Sequence, residues 1–246
     1  MALLSLGALL LGGCGTDPET AQKLADLETK VQELEKKVAA GPAAGAPRGP
    51  AAAPPADSEE EKAAAVILKE ANGHFEAMEY DQAKAQIAEL KAKYGDTRAA
   101  RAAQRIEEEL NVIGKDAGTL EVEKWFQGNA NLAQGDATLL VFWEVWCPHC
   151  KREVPKIEAT YQKYKGDGLQ IVGLTKMTRN ITEDQVTEFL KDNNVSYPIA
   201  KEEGMAMSNL YGVKGIPAAA VVKGGKIVWR GHPARITDEM IEGWIN

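Results

Sequence analysis

Leu139-Leu140-Val141-Phe142-Trp143 is an apolar run that ends four residues short of a cysteine pair, Cys147-Pro148-His149-Cys150. An apolar stretch of that length reads as a buried strand. Beyond the cysteines, Val154, Ile157 and Tyr161 recur at helical spacing, which predicts a helix over 148–165. Both cysteines then fall in a strand-to-helix turn, at the helix N-terminus. Unpaired backbone N–H groups and the helix dipole favour negative charge there, so a thiolate is stabilised. Two vicinal thiols, one of them poised as thiolate, form a dithiol/disulfide redox centre. A static structural disulfide is the alternative, but so short a loop gains little entropy from a cross-link.

Several residues outside the cysteines carry a resemblance. Phe142-Trp143-x-x-Trp146-Cys147-x-x-Cys150-Lys151 resembles the thioredoxin active-site strand and turn, and Pro155 stands where thioredoxins kink the following helix. Tyr211-Gly212-Val213-Lys214-Gly215-Ile216-Pro217 is similar to the thioredoxin segment that brings a cis-proline to the active site. Cys150-Lys151-Arg152-Glu153 resembles the TlpA/ResA branch of membrane-tethered periplasmic thioredoxins, in which a glutamate follows the second cysteine by three. The Pro-His pair between the cysteines is instead that of DsbA-type oxidases.

The resemblance implies an α/β thioredoxin fold over residues 119–246, a central mixed sheet flanked by helices. It implies that Cys147 is the nucleophile and Cys150 the resolving thiol. Trp146, Pro148, Ile216 and a cis Pro217 are expected to meet the substrate. His149 is either a bystander on an exposed turn or a group that favours the Cys147 thiolate. Glu153 is either a surface charge or the proton acceptor for Cys150. Thioredoxins bury an aspartate six residues before the first cysteine, where this chain has Val141, which leaves Glu153 and Glu144 as substitutes. Expected substrates are protein disulfides or dithiols, recharged by a membrane or periplasmic thiol donor. Reductase or isomerase is the leading reading; a DsbA-like oxidase and a redox-sensing binding module are the alternatives.

Residues 1–13 resemble a lipoprotein leader, because the apolar run ends in Leu11-Gly12-Gly13-Cys14 and is too short to span a bilayer, which needs about 20 residues. No Lys or Arg precedes that run, which leaves open a start upstream of Met1. Lipidation of Cys14 accounts for the odd third cysteine and implies an anchor facing the bacterial periplasm. Gly15 stands where an aspartate retains many lipoproteins at the inner membrane, which leans toward the outer one.

Within 14–39, Leu24, Leu27, Val31, Leu34 and Val38 alternate spacings of three and four. A parallel homodimer or trimer through residues 24–38 is one reading, and a solitary solvated helix is the other. Residues 40–57 are rich in Ala, Pro and Gly and read as an extended tether of at most about 60 Å. Residues 58–114 read as a helical segment that opens on a capping box at Ser58-Glu59-Glu60-Glu61, with helices over 58–78, 81–94 and 97–113. It loosely resembles one tetratricopeptide unit plus a capping helix. It serves either as a spacer packed on the redox domain or on a second copy of the chain, or as a peptide-binding surface.

Further on, strands are expected at 138–145, 169–175, 218–222 and 226–230, the last two joined by a Gly224-Gly225 hairpin. Helices are expected at 182–193, 204–210 and 237–244. The net charge is −7 with no basic cluster, which argues against nucleic acid as a partner. With no second Cys-x-x-Cys, only His74, His149 and His232, and Lys151 after Cys150, neither a zinc site nor haem attachment fits, and no cofactor is implied.

Overall fold

The computed structural model describes residues 53–133 and 135–246, all within one compact unit. The expected leader, Cys14, the coiled coil at 24–38 and most of the tether lie outside the described residues.

Three helices come first: α1 (Glu59–Glu76), α2 (Tyr80–Tyr94) and α3 (Arg98–Leu110). Small residues let them approach closely. Ala64 and Ala71 of α1, Ala83 of α2 and Ala103 of α3 are fully buried, with Phe75, Ile87, Leu90 and Ile106 filling the space between. The expected capping box forms only by half. Ser58 Oγ accepts from the Glu61 amide at 3.2 Å, but the Glu61 carboxylate does not return to Ser58. It accepts instead from the amides of Arg98 and Ala99, both at 3.0 Å, and so caps the positive end of α3. A reciprocal box forms elsewhere, between Thr182 and Gln185.

The sheet has six strands: β1 (Val122–Gln127), β2 (Ala137–Phe142), β3 (Leu169–Thr175), β4 (Ile199–Glu202), β5 (Ala218–Lys223) and β6 (Lys226–Gly231). Their spatial order is β1-β4-β3-β2-β5-β6, with β2, β3 and β4 parallel and the other pairs antiparallel. Around it lie α4 (Pro148–Tyr164), α5 (Glu183–Asp192), α6 (Ala206–Leu210) and α7 (Asp238–Ile245). Strand β2 is buried on both faces, which explains its unbroken apolar run. Leu139 and Val141 face a core with Val154 and Ile157 of α4. Leu140 and Phe142 face Met207 and Tyr211.

Two strands, β1 and β4, are not predicted from the sequence. Strand β1 is only half-buried and its pairing with β4 is interrupted by two register shifts, so it lacks a clean alternation. Strand β4 has four residues. The connection before residue 119 is itself paired with the sheet. Gly114 N donates to Ile227 O at 2.8 Å and Ala117 N to Gly225 O at 2.9 Å, so the connection already pairs with the β5–β6 hairpin. That hairpin has the expected two-residue turn, with Gly224 and Gly225 at φ +57° and +73°.

Candidate active site

Topology brings three loops together. Strands β2 and β3 run parallel, with Phe142 opposite Leu174, so the segments that follow them emerge at the same end of the sheet. Strand β5 runs antiparallel to β2, with Ala218 opposite Phe142, so the residues before β5 arrive at that end too. This is the crevice outside the carboxyl ends of the parallel strands, where open α/β sheets hold their ligands.

Cys147 is the N-cap of α4, and Pro148 takes the first helical position, where its missing N–H costs nothing. Both cysteines are free thiols and both are buried, Cys150 completely and Cys147 to 5% exposure. Cys147 is thus the more exposed of the two, yet nearly covered. Its Sγ lies 3.9 Å from the Ile216 carbonyl oxygen, and the Ile216–Pro217 bond that follows is cis. Burial pushes the Cys150 thiol far above its usual range. A side-chain hydrogen bond with Cys147 pushes the same way, a backbone hydrogen bond at Glu144 pulls down, and the charges of Cys147 and Glu144 add to the rise.

Glu144, at 1% exposure, sits behind the turn. Its carboxylate accepts from Thr178 Oγ1 at 3.1 Å, Thr178 N at 3.2 Å and Thr175 Oγ1 at 3.3 Å. Thr178 Oγ1 also accepts from Trp146 Nε1 at 3.0 Å, and the Arg179 guanidinium lies 3.5 Å from the centre of the Trp146 ring. In this loop Met177, Arg179 and Asn180 all have φ near +60°, a region that side chains disfavour. Nothing in the sequence marks Thr178 or Arg179 as part of the site; they enter only because β3 ends beside β2.

Glu153 is buried, but its carboxylate turns to Lys156 Nζ at 3.0 Å. Its charge bears on His232, whose ring burial holds below the usual imidazole range against that attraction, with Arg105, Arg235 and His149 adding repulsion. Pro148 and His149 are exposed, and His149 Nδ1 meets the Arg152 guanidinium at 2.5 Å. The structure thus brings together Trp146, Cys147, Cys150, Ile216 and Pro217, and turns His149 and Glu153 toward other partners. Arg230, buried on β6, braces the loop before β5: it donates to Tyr211 O at 2.9 Å, Gly231 O at 3.0 Å and Ala219 O at 3.3 Å. With only carbonyls as acceptors, burial lowers its pKa to about 10.

A dithiol at a helix N-terminus, facing a cis-proline loop at the end of a mixed sheet, defines a thioredoxin-like redox protein. Comparison with known proteins narrows that class. The AhpC/TSA family matches residues 113–230. The thiol-disulfide oxidoreductase ResA of Halalkalibacterium halodurans is 28% identical over 109 residues, 44% of this chain and 60% of that one. ResA of Bacillus thuringiensis subsp. konkukian is 31% identical over 124 residues, 49% of this chain and 70% of that one. The crystal structure of StoA from Bacillus subtilis aligns with 22% identity and a TM-score of 0.45, over 53% of this chain and 98% of that one. The chain belongs to the ResA family of thioredoxin-like thiol-disulfide oxidoreductases. It spans 60 to 63% of the length of the first curated relatives it matches.

Proposed function

We propose that the chain is a membrane-tethered thiol-disulfide oxidoreductase of the bacterial envelope that reduces or isomerises disulfides of other proteins. The observation that carries this reading is the Cys147–Cys150 dithiol, its first sulfur set against the Ile216 carbonyl. In the reducing direction, the Cys147 thiolate attacks one sulfur of a substrate disulfide. A mixed disulfide forms, and the other substrate sulfur leaves as thiolate and takes a proton. Cys150 then loses its proton and attacks the Cys147 sulfur, which releases the second substrate thiolate and leaves a Cys147–Cys150 disulfide. Two electrons pass from the protein dithiol to the substrate, and a thiol donor restores them. We assign the Cys150 proton to Glu144, whose charge bears on that thiol, ahead of Glu153, whose carboxylate is engaged by Lys156.

Among the described residues, the amides of Lys214, Gly215 and Ile216 donate no hydrogen bond, so an extended substrate segment can pair with this loop. Trp146 and Pro148 flank the attacking sulfur on the other side. Lipidation at Cys14, association through 24–38 and the tether over 40–57 hold the redox unit near a membrane, the outer one by preference. Trapping tests the chemistry. Cys150→Ser should accumulate mixed disulfides with envelope proteins, seen on non-reducing gels, and Cys147→Ser should not. Equal trapping by both variants contradicts the assigned roles.

A further inference from the structure

The chemistry above uses the redox turn and the loop before β5, but the site has a further wall. A cleft of about 470 Å³ runs from His149 and Pro217 to α3, whose Arg105, Glu108 and Glu109 line its far side. That wall is fixed against the redox domain at several points. Lys214 Nζ meets Glu108 at 2.6 Å, Arg235 meets Glu109 at 2.5 Å, and Tyr80 Oη donates to Val228 O at 3.1 Å. Gly212, at φ +59°, lets Val112 approach so closely that a Cβ there would lie 3.3 Å from it. The helical segment thus forms part of the rim of the site.

The charge in this cleft runs against that of the chain. The whole chain carries −7, yet three cations, Arg105, Lys214 and Arg230, line this cleft beside two carboxylates, Glu108 and Glu109. Arg230 bonds carbonyls alone. Arg105 reaches Glu109 only at 3.5 Å, and its side chain is 69% exposed. Lys214 is 70% exposed at the lip, on the same loop whose amides at 214–216 donate no hydrogen bond among the described residues. An extended strand laid along those amides would send alternate side chains toward α3.

We propose that this cleft is a specificity site. In it, α3 and the loop before β5 hold an extended stretch of the substrate protein that carries Asp or Glu beside its disulfide-bonded cysteine, and Arg105 and Lys214 read those carboxylates. The inference rests on the thiol–disulfide role of Cys147 and Cys150, and it makes the helical segment a reader of substrates rather than a spacer.

The test uses the full chain, reduced, and three probes. Two are short synthetic peptides identical except for Glu or Lys on both sides of one cysteine, which is disulfide-linked to 2-mercaptoethanol. The third is the uncharged bis(2-hydroxyethyl) disulfide. The second-order rate constant for oxidation of the protein is followed by tryptophan fluorescence. At low salt the Glu peptide should react about fivefold faster than the Lys peptide, the scale of a few partly exposed charge contacts. High salt should erase that ratio, and Arg105→Glu should abolish or invert it. The salt series needs no variant and stands even if Arg105→Glu fails to fold. Equal rates for the two peptides while the uncharged disulfide is reduced, or a preference that survives high salt, would overturn the specificity site alone. Oxidation by none of the three would overturn the thiol–disulfide reading, and this site with it.

Discussion

At the scale of single residues, the two sulfurs sit in different surroundings although only a Pro-His pair separates them. Cys150 lies one helical turn deeper, at 0% exposure, with burial, Cys147 and the charge of Glu144 all favouring its protonated form. Each unit by which a thiol pKa rises removes about tenfold of its thiolate below that pKa. In a Cys147→Ser variant, Cys150 should therefore react with iodoacetamide at pH 8 at least about tenfold more slowly than glutathione does. Alkylation at the glutathione rate would contradict its placement. The Cys-x-x-Cys spacing made this pair legible in the sequence, because the spacing is the chemistry. The contacts of His149 and Glu153 were not legible, because each depends on a rotamer chosen by neighbours. Arg152 takes the imidazole and Lys156 takes the carboxylate, while the charge of Glu144 bears on Cys150.

At the scale of elements, side chains that cross between segments pin the frame behind the site. Glu158 on α4 accepts from Ser196 Oγ and Gln162 Nε2, both at 2.6 Å, and from Ser196 N at 2.7 Å. Burial alone would raise its carboxyl, but the hydrogen bonds from Ser196, Gln162 and Tyr197 outweigh it and hold the pKa below the usual range. A carboxylate depressed in the folded state stabilises the fold above its unfolded pKa and loses that contribution as pH falls through the folded one. Glu158→Gln should thus lower stability by about 1–2 kcal/mol at neutral pH. It should also flatten the loss of stability on the acid side of the glutamate range, as read by urea unfolding at several pH values. An acid limb unchanged by the substitution would contradict this. Strands β2, β3, β5 and β6 and helices α1 to α7 were readable from apolar runs and caps, and the 3-10 turn Pro233–Arg235 was not. Strands β1 and β4 were not, because their order comes from pairing with each other at the sheet edge. The reach of Glu61 to α3, across 37 residues of sequence, leaves no local signature either.

At the scale of the whole molecule, the proposed N-terminal anchor would tie a redox unit with a helical rim to a membrane. If Cys14 carries lipid, Cys14→Ser should move the protein from the membrane pellet to the soluble fraction. Retention in the pellet without a peripheral partner would contradict that anchor. The central claim is that the Cys147–Cys150 pair donates electrons to substrate disulfides, and its reduction potential tests this most directly. The His149 imidazole is paired with Arg152, and the helix N-terminus at Cys147 is the arrangement that the thioredoxin turn shares, so the potential is expected near thioredoxin's roughly −270 mV. Equilibration with glutathione or dithiothreitol buffers should therefore give a value within about 50 mV of that. A value near the roughly −120 mV of DsbA would contradict the reductase account and favour an oxidase.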